Sequence, residues 1–113
     1  MVKEIVLMNI DVELKRAKKA VEEGNIGMAR VCVRRACGIS ISFWLEDNPR
    51  QGYGESAMNQ LRSVQSEDTV PKEVKDAAER LTTHITNQSD SPFTDDLIAD
   101  AKILTNYFLN MKS

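Results

Sequence analysis

The sequence holds one histidine, His84, and two cysteines, Cys32 and Cys37, and that scarcity narrows its chemistry. One histidine without a C-x-x-C pair leaves too few soft ligands for a structural zinc site, so no metal is expected. The cysteines stand five apart on one expected helix. They therefore point about 140° apart, too divergent for a disulfide. Two buried free thiols suit a reducing cytoplasm, which is the expected compartment. There is no Ser-His-Asp context, no G-x-G-x-x-G and no P-loop. No cofactor is expected, and the reading leans away from an enzyme. Long hydrophobic runs are also lacking. "MVKEIVLMNID" is a short apolar patch that charges interrupt. It does not have the pattern of a signal peptide, and nothing approaches membrane-spanning length, so no membrane partner is expected.

What is present is an ordinary globular composition over 113 residues, 42% hydrophobic and 28% charged. That length buries about two-thirds of its surface and suits one domain, 1–113. The net charge is −2, which excludes a whole-chain electrostatic nucleic-acid binder. Residues 1–50 carry nine basic and seven acidic side chains, and residues 51–113 carry six and ten, an asymmetry too mild to assign a partner. The "KRAKK" run at 15–19 has the charge to touch nucleic acid. Two glutamates follow it and no aromatic side chain lies nearby to stack a base, so it reads as a solvated helix face.

Apolar residues recur at helical spacing in four or five segments. Leu7, Ile10, Leu14, Ala17 and Val21 form the seam of a first helix that Gly24 ends. On its wet face Asp11–Lys15, Lys18–Glu22 and Lys19–Glu23 are i,i+4 pairs of opposite charge. Asn25 is a good N-cap for a second helix reaching about Asp47, where "DNP" stops it. "PRQGYGES" is a turn-rich connection. A short third helix over about 54–65 points Ala57, Leu61 and Val64 inward. A fourth begins with Thr69 as a candidate cap and Pro71 in its first turn, and carries Val74, Ala77, Ala78, Leu81 and Ile85. "TNQSDSPF" is a loop. Thr94 can cap a fifth helix, with Asp95 and Asp96 at its positive end and Leu97, Ala101, Leu104, Phe108 and Met111 as its seam. The expected fold is an all-α antiparallel bundle of four to five helices.

The second helix carries two seams. Ala29, Cys32, Val33, Ala36, Ile39, Ser40 and Phe43 fall on a core side, flanked by Cys37 and Trp44, and its small members allow a close neighbour. On the other side Gly27, Val31, Arg34, Gly38, Ile41 and Leu45 recur at spacings of 4, 3, 4, 3 and 4. A helix apolar on both sides sits between two layers. Glycine inside a helix costs roughly 1 kcal/mol against alanine, and close backbone approach is the reason to tolerate it. The second layer is either another helix of this chain or a second copy, and a homodimer through this seam is expected. Arg34 there needs a carboxylate, a carbonyl or solvent. Arg30 and Arg34, one turn apart, are the candidate residues for a phosphate-type anion; Arg35 lies on another side.

Arg80 and His84 are also one turn apart, on the fourth helix. The structural expectation is that Arg80 pairs with Asp76 and His84 packs at the core edge. With the early "A-R-V…R-R-A" helix, this pair gives the layout a resemblance to HEPN-type bundles. That resemblance implies a substrate-binding partner of nucleotidyltransferases or a metal-independent ribonuclease, often dimeric. Only Leu81, Thr82 and Thr83 separate Arg80 from His84, fewer residues than in the ribonuclease members. The primary reading is a non-catalytic interaction module that binds a nucleotide or phosphate-type anion or a partner protein. The alternatives are a HEPN-like ribonuclease using Arg80 and His84, and a purely structural subunit.

Overall fold

The first helix, α1 (Lys3–Glu22), ends as its glycine requires. Gly24 adopts φ +78°, a left-handed backbone. Its N–H bonds to Val21 O at 3.0 Å and the next, Asn25 N–H, to Ala20 O at 2.7 Å. This pair of reverse bonds is the Schellman closure of a helix end. The chain turns at once into α2 (Ile26–Asp47), where Asn25 Oδ1 accepts from Met28 N–H at 3.1 Å, the expected cap. Three further helices follow: α3 (Ala57–Val64), α4 (Lys72–Thr82) and α5 (Asp96–Met111). The computed structural model describes residues 2–83 and 96–111, except the side chain of Asp96. Among those residues there is no strand, and the fold is an all-α bundle of five helices.

The central element is α2. It packs against α1, α5 and α3, and α4 closes against α3 and α5. Its core side is largely the expected one: Ala29, Cys32, Val33, Ala36, Ser40 and Phe43 are buried, with Cys37 and Trp44 beside them, while Ile39 is half-buried at its edge. Small residues on both helices, Ala17 and Ala20 on α1 and Ala29 and Ala36 on α2, let the hairpin close tightly. Ser40 satisfies its buried hydroxyl within its own helix, donating to Cys37 O at 2.7 Å. Phe108 of α5 is fully enclosed, with Trp44 at 5.1 Å and Tyr107 at 5.0 Å between ring centres. A side chain buried this completely contributes about 1.5–3 kcal/mol through the water it no longer exposes.

Several details differ from the periodic reading. The buried seam of α1 is Val6, Ile10, Ala17 and Ala20, while Leu7 remains 45% exposed. The first half of α1 carries apolar residues all round, so spacing alone allows more than one face. Phe43 and Leu109, which cluster with Val6 and Ile10, select among them. Thr69 does not cap α4. Pro71 itself is the N-cap, in extended conformation, where the missing N–H of proline costs no hydrogen bond. Met111 is 51% exposed, and Leu109 is buried near the end of α5 instead. Thr94, Asp95 and Ile85 lie outside the described residues.

Candidate cationic site on the second helix

The second seam of α2 divides into covered and open parts. Gly38 and Ile41 are fully enclosed, and Leu45 is half-buried. The covering layer at Gly38 is α3 of the same chain. A side chain at Gly38 would meet Ala57 Cβ at 3.0 Å and Gln60 Oε1 at 3.2 Å. The centre of the seam is therefore an intrachain contact, made possible by the missing Cβ. Gly27 and Val31, nearer the start of α2, are exposed.

Arg34 lies between these parts, half-buried. Its Nε donates to Leu81 O at 2.8 Å. Leu81 belongs to the last turn of α4, where carbonyls lack an intrahelical partner and the helix dipole is negative. A guanidinium is a suitable side-chain cap for such an end. The carbonyl that a buried arginine needs is thus supplied by a helix 47 residues away in sequence.

Arg30 and Arg62 stand close enough for their charges to act on Arg34. Burial first, then the positive charges of Arg30 and Arg62, push the Arg34 guanidinium below its ordinary value. It nevertheless stays charged, because arginine does not deprotonate in proteins. None of the ion pairs between described residues involves these three arginines. Asp11 bonds Lys15 at 3.0 Å, Asp76 bonds Lys72 at 2.9 Å, Asp100 bonds Arg80 at 2.8 Å and Glu67 bonds Arg50 at 3.4 Å. Arg62 had no signal in the sequence that linked it to α2. It stands on the exposed side of α3, the helix that packs onto α2 at Gly38, and its charge reaches Arg34.

The second candidate pair is placed only in part. His84 lies outside the described residues. Arg80 does not pair with Asp76, which Lys72 takes instead. Its Nε and Nη2 donate to Asp100 Oδ2 and Oδ1 at 3.0 and 2.8 Å. Asp100 is 7% exposed at its side chain, so this two-pronged bridge ties α4 to α5. The i,i+4 rule chose the wrong acid because the carboxylate on α5 offers a drier, bidentate site.

Both thiols are buried and free. Burial pushes Cys37 well up, with Asp100 adding to the effect; burial and then the Glu13 charge push Cys32 up. Neither is an activated nucleophile. Among the described residues no group of three or more His, Cys, Asp or Glu side chains is arranged to hold a metal ion. No described helix is long and apolar enough to cross a membrane. Comparison of the chain with protein-family models, with curated proteins and with solved structures finds no match.

Proposed function

We propose that this chain is a helical interaction module with no catalytic role of its own, and that its ligand is a phosphate-type anion held by Arg30, Arg34 and Arg62. The observation that carries this reading is the uncompensated cluster. The charges of Arg30 and Arg62 both act on the half-buried Arg34, in a chain with more acidic than basic residues, and no ion pair between described residues neutralises any of the three. Like charges brought together cost stability, and an anion bound among them removes that cost. Arginine suits phosphate because its planar fork makes two parallel hydrogen bonds to it. Arg34 is anchored through Nε to Leu81 O, so its Nη groups are held in place before a ligand arrives. No comparable support exists for the reading through Arg80 and His84, since the Arg80 fork is engaged by Asp100.

The test is thermal unfolding of the wild type and of Arg62→Gln and Arg34→Gln. Inorganic phosphate, pyrophosphate, a nucleoside triphosphate and a short RNA are added separately at low salt. A ligand at a hundred times its dissociation constant stabilises by about 2.7 kcal/mol, a readily measured rise in melting temperature. Wild type is expected to gain stability with at least one phosphate-bearing ligand, Arg62→Gln to gain less, and added salt to diminish the effect. The arms separate a free phosphate group from a nucleotide or an RNA as its source. No rise in wild type with any of the four, or the same rise in both variants, overturns the proposal.

A further inference from the structure

Large apolar side chains left in water are concentrated on one stretch of this fold. Of the eight such side chains among the described residues, five lie between Val2 and Val12. Ile5, Met8 and Val12 stand at spacings of 3 and 4 and are 51%, 65% and 46% exposed. At 100° per residue they form one stripe, on the side of α1 away from its buried seam of Val6, Ile10, Ala17 and Ala20. α1 packs on α2 and, less extensively, on α5, and this outer stripe is left to solvent. A contiguous apolar patch on a helix that already has a buried seam marks an interaction surface.

The stripe changes character along the helix. Its next two positions are Lys15 and Lys19, with Lys18 beside them, whereas Glu4 and Asp11 flank the apolar half. All five charged residues are exposed. Asp11 is joined to Lys15 of its own chain at 3.0 Å. One half of the face is therefore apolar and edged with acid, and the other consists of lysine stems and their ammonium groups.

Two copies of α1 laid antiparallel bring unlike halves together. In the register that sets Met8 against the other copy's Val12, Ile5 lies on the aliphatic stem of the other copy's Lys15. Glu4 then comes beside the other copy's Lys18, and the two-fold axis repeats each of these contacts. The helix dipoles are opposed as well. Parallel pairing through the same stripe would instead set Lys15 against Lys15 and Lys19 against Lys19. An anionic membrane surface suits the lysines, but it repels Glu4 and Asp11, which border the apolar residues that would have to enter it.

We infer that α1 pairs antiparallel with α1 of a second copy through Ile5, Met8 and Val12, with Glu4 of each copy facing Lys18 of the other. Such a dimer leaves the α2 seam at Gly38 to α3 of the same chain. It does not rest on the arginine cluster.

The test is sedimentation velocity of the full chain over a range of concentrations. One helix pair is at the small end of specific interfaces, below about 1,200 Å² in total, so wild type is expected to pass from monomer to dimer at micromolar concentrations or above. Met8→Glu sets an unpaired charge in the contact and should raise the dissociation constant about ten-fold or more. Met8 is exposed in the single chain, so this variant should fold, which circular dichroism checks; Ile5→Gln is a milder second probe of the stripe. Glu4→Lys and Lys18→Glu should each weaken dimerisation several-fold. Together they should restore it, because the pair is only reversed; a parallel pairing gives no such recovery. Wild type that stays monomeric throughout overturns the inference. So does a dimer that Met8→Glu and Ile5→Gln leave intact, or one that the double charge reversal does not recover. Pelleting of a monomeric wild type with phosphatidylserine vesicles assigns the stripe to a membrane surface instead.

Discussion

Replacing Gly38 by alanine sets two effects of known size against each other. Alanine is favoured over glycine inside a helix by about 1 kcal/mol, so the substitution would stabilise α2 in isolation. Within the fold its Cβ would stand 3.0 Å from Ala57 Cβ and 3.2 Å from Gln60 Oε1. Carbon pairs are at their optimum near about 3.5–4.0 Å, so α3 must retreat by roughly half an ångström or more. It cannot do so freely. Gln60 Nε2 is bonded to Ser42 Oγ at 3.1 Å and to Gly54 O at 3.2 Å, and Leu61 and Val64 of the same helix are fully buried. Overpacking of this kind costs about 1–3 kcal/mol, which leaves a net loss of about 0–2 kcal/mol after the helix gain. Urea unfolding measures the difference. Gly27→Ala is the control, because the nearest atom to a Cβ there is Asn25 Oδ1 at 3.9 Å, an ordinary contact. That variant should gain up to about 1 kcal/mol. Adding Ala57→Gly to Gly38→Ala removes the closest obstacle and should recover part of the loss as a positive coupling. If Gly38→Ala stabilises the protein as much as Gly27→Ala does, α3 is not pressed onto α2 and the reasoning fails.

Two further outcomes follow from the titrating groups. Tyr53 Oη donates to Glu67 Oε1 at 2.8 Å, and this bond, more than the Arg50 charge, holds the Glu67 carboxyl below its usual range against the opposing effect of burial. A carboxylate with a depressed folded value stabilises the protein above its unfolded pKa of about 4.3, and that stabilisation is lost as pH falls through the folded value. Tyr53→Phe should therefore be less stable than wild type near neutral pH, with the gap closing in acid. Unfolding across a pH series checks this, and a gap independent of pH refutes it. Cys32 and Cys37 should resist thiol reagents in the native state at neutral pH and react only on unfolding, since burial raises both. Labelling of native protein at the rate of an unfolded thiol contradicts that picture.

The helices were legible in the sequence because their stripes, glycine and asparagine signals act locally. Asn25, Gly24 and Pro71 each mark a helix boundary through chemistry within a few residues. The face that α1 buries was less legible. Ile5, Val6, Leu7, Met8, Ile10 and Val12 surround the helix, and only the partners Phe43 and Leu109 favour Val6 over Leu7. The seam through Gly38 was visible as a pattern, but its occupant was a choice between this chain and a copy that spacing could not make. The same holds for Arg34, whose partner is a backbone carbonyl on α4, and for Arg80, whose partner is on α5. Glu13 gives no signal in a seam defined by Leu7 and Ile10. Once Val6 and Ala20 define it, the acid stands at the edge of the buried side, half-buried.

The position of Trp44 has a practical consequence. The chain has one tryptophan, 5% exposed, with Phe108 at 5.1 Å, Tyr53 at 6.2 Å and the Arg50 guanidinium 5.2 Å above its ring. It belongs to the larger buried cluster, shared by all five helices, and its emission is a built-in reporter of that cluster. Val6, Ile10, Ala36, Phe43 and Leu109 form a second cluster around the first half of α1, which contains no tryptophan. Circular dichroism sees both, because every helix contributes to it. Coincidence of the two signals during unfolding marks a single cooperative unit. A loss of ellipticity ahead of the fluorescence change assigns the early event to the first turns of α1.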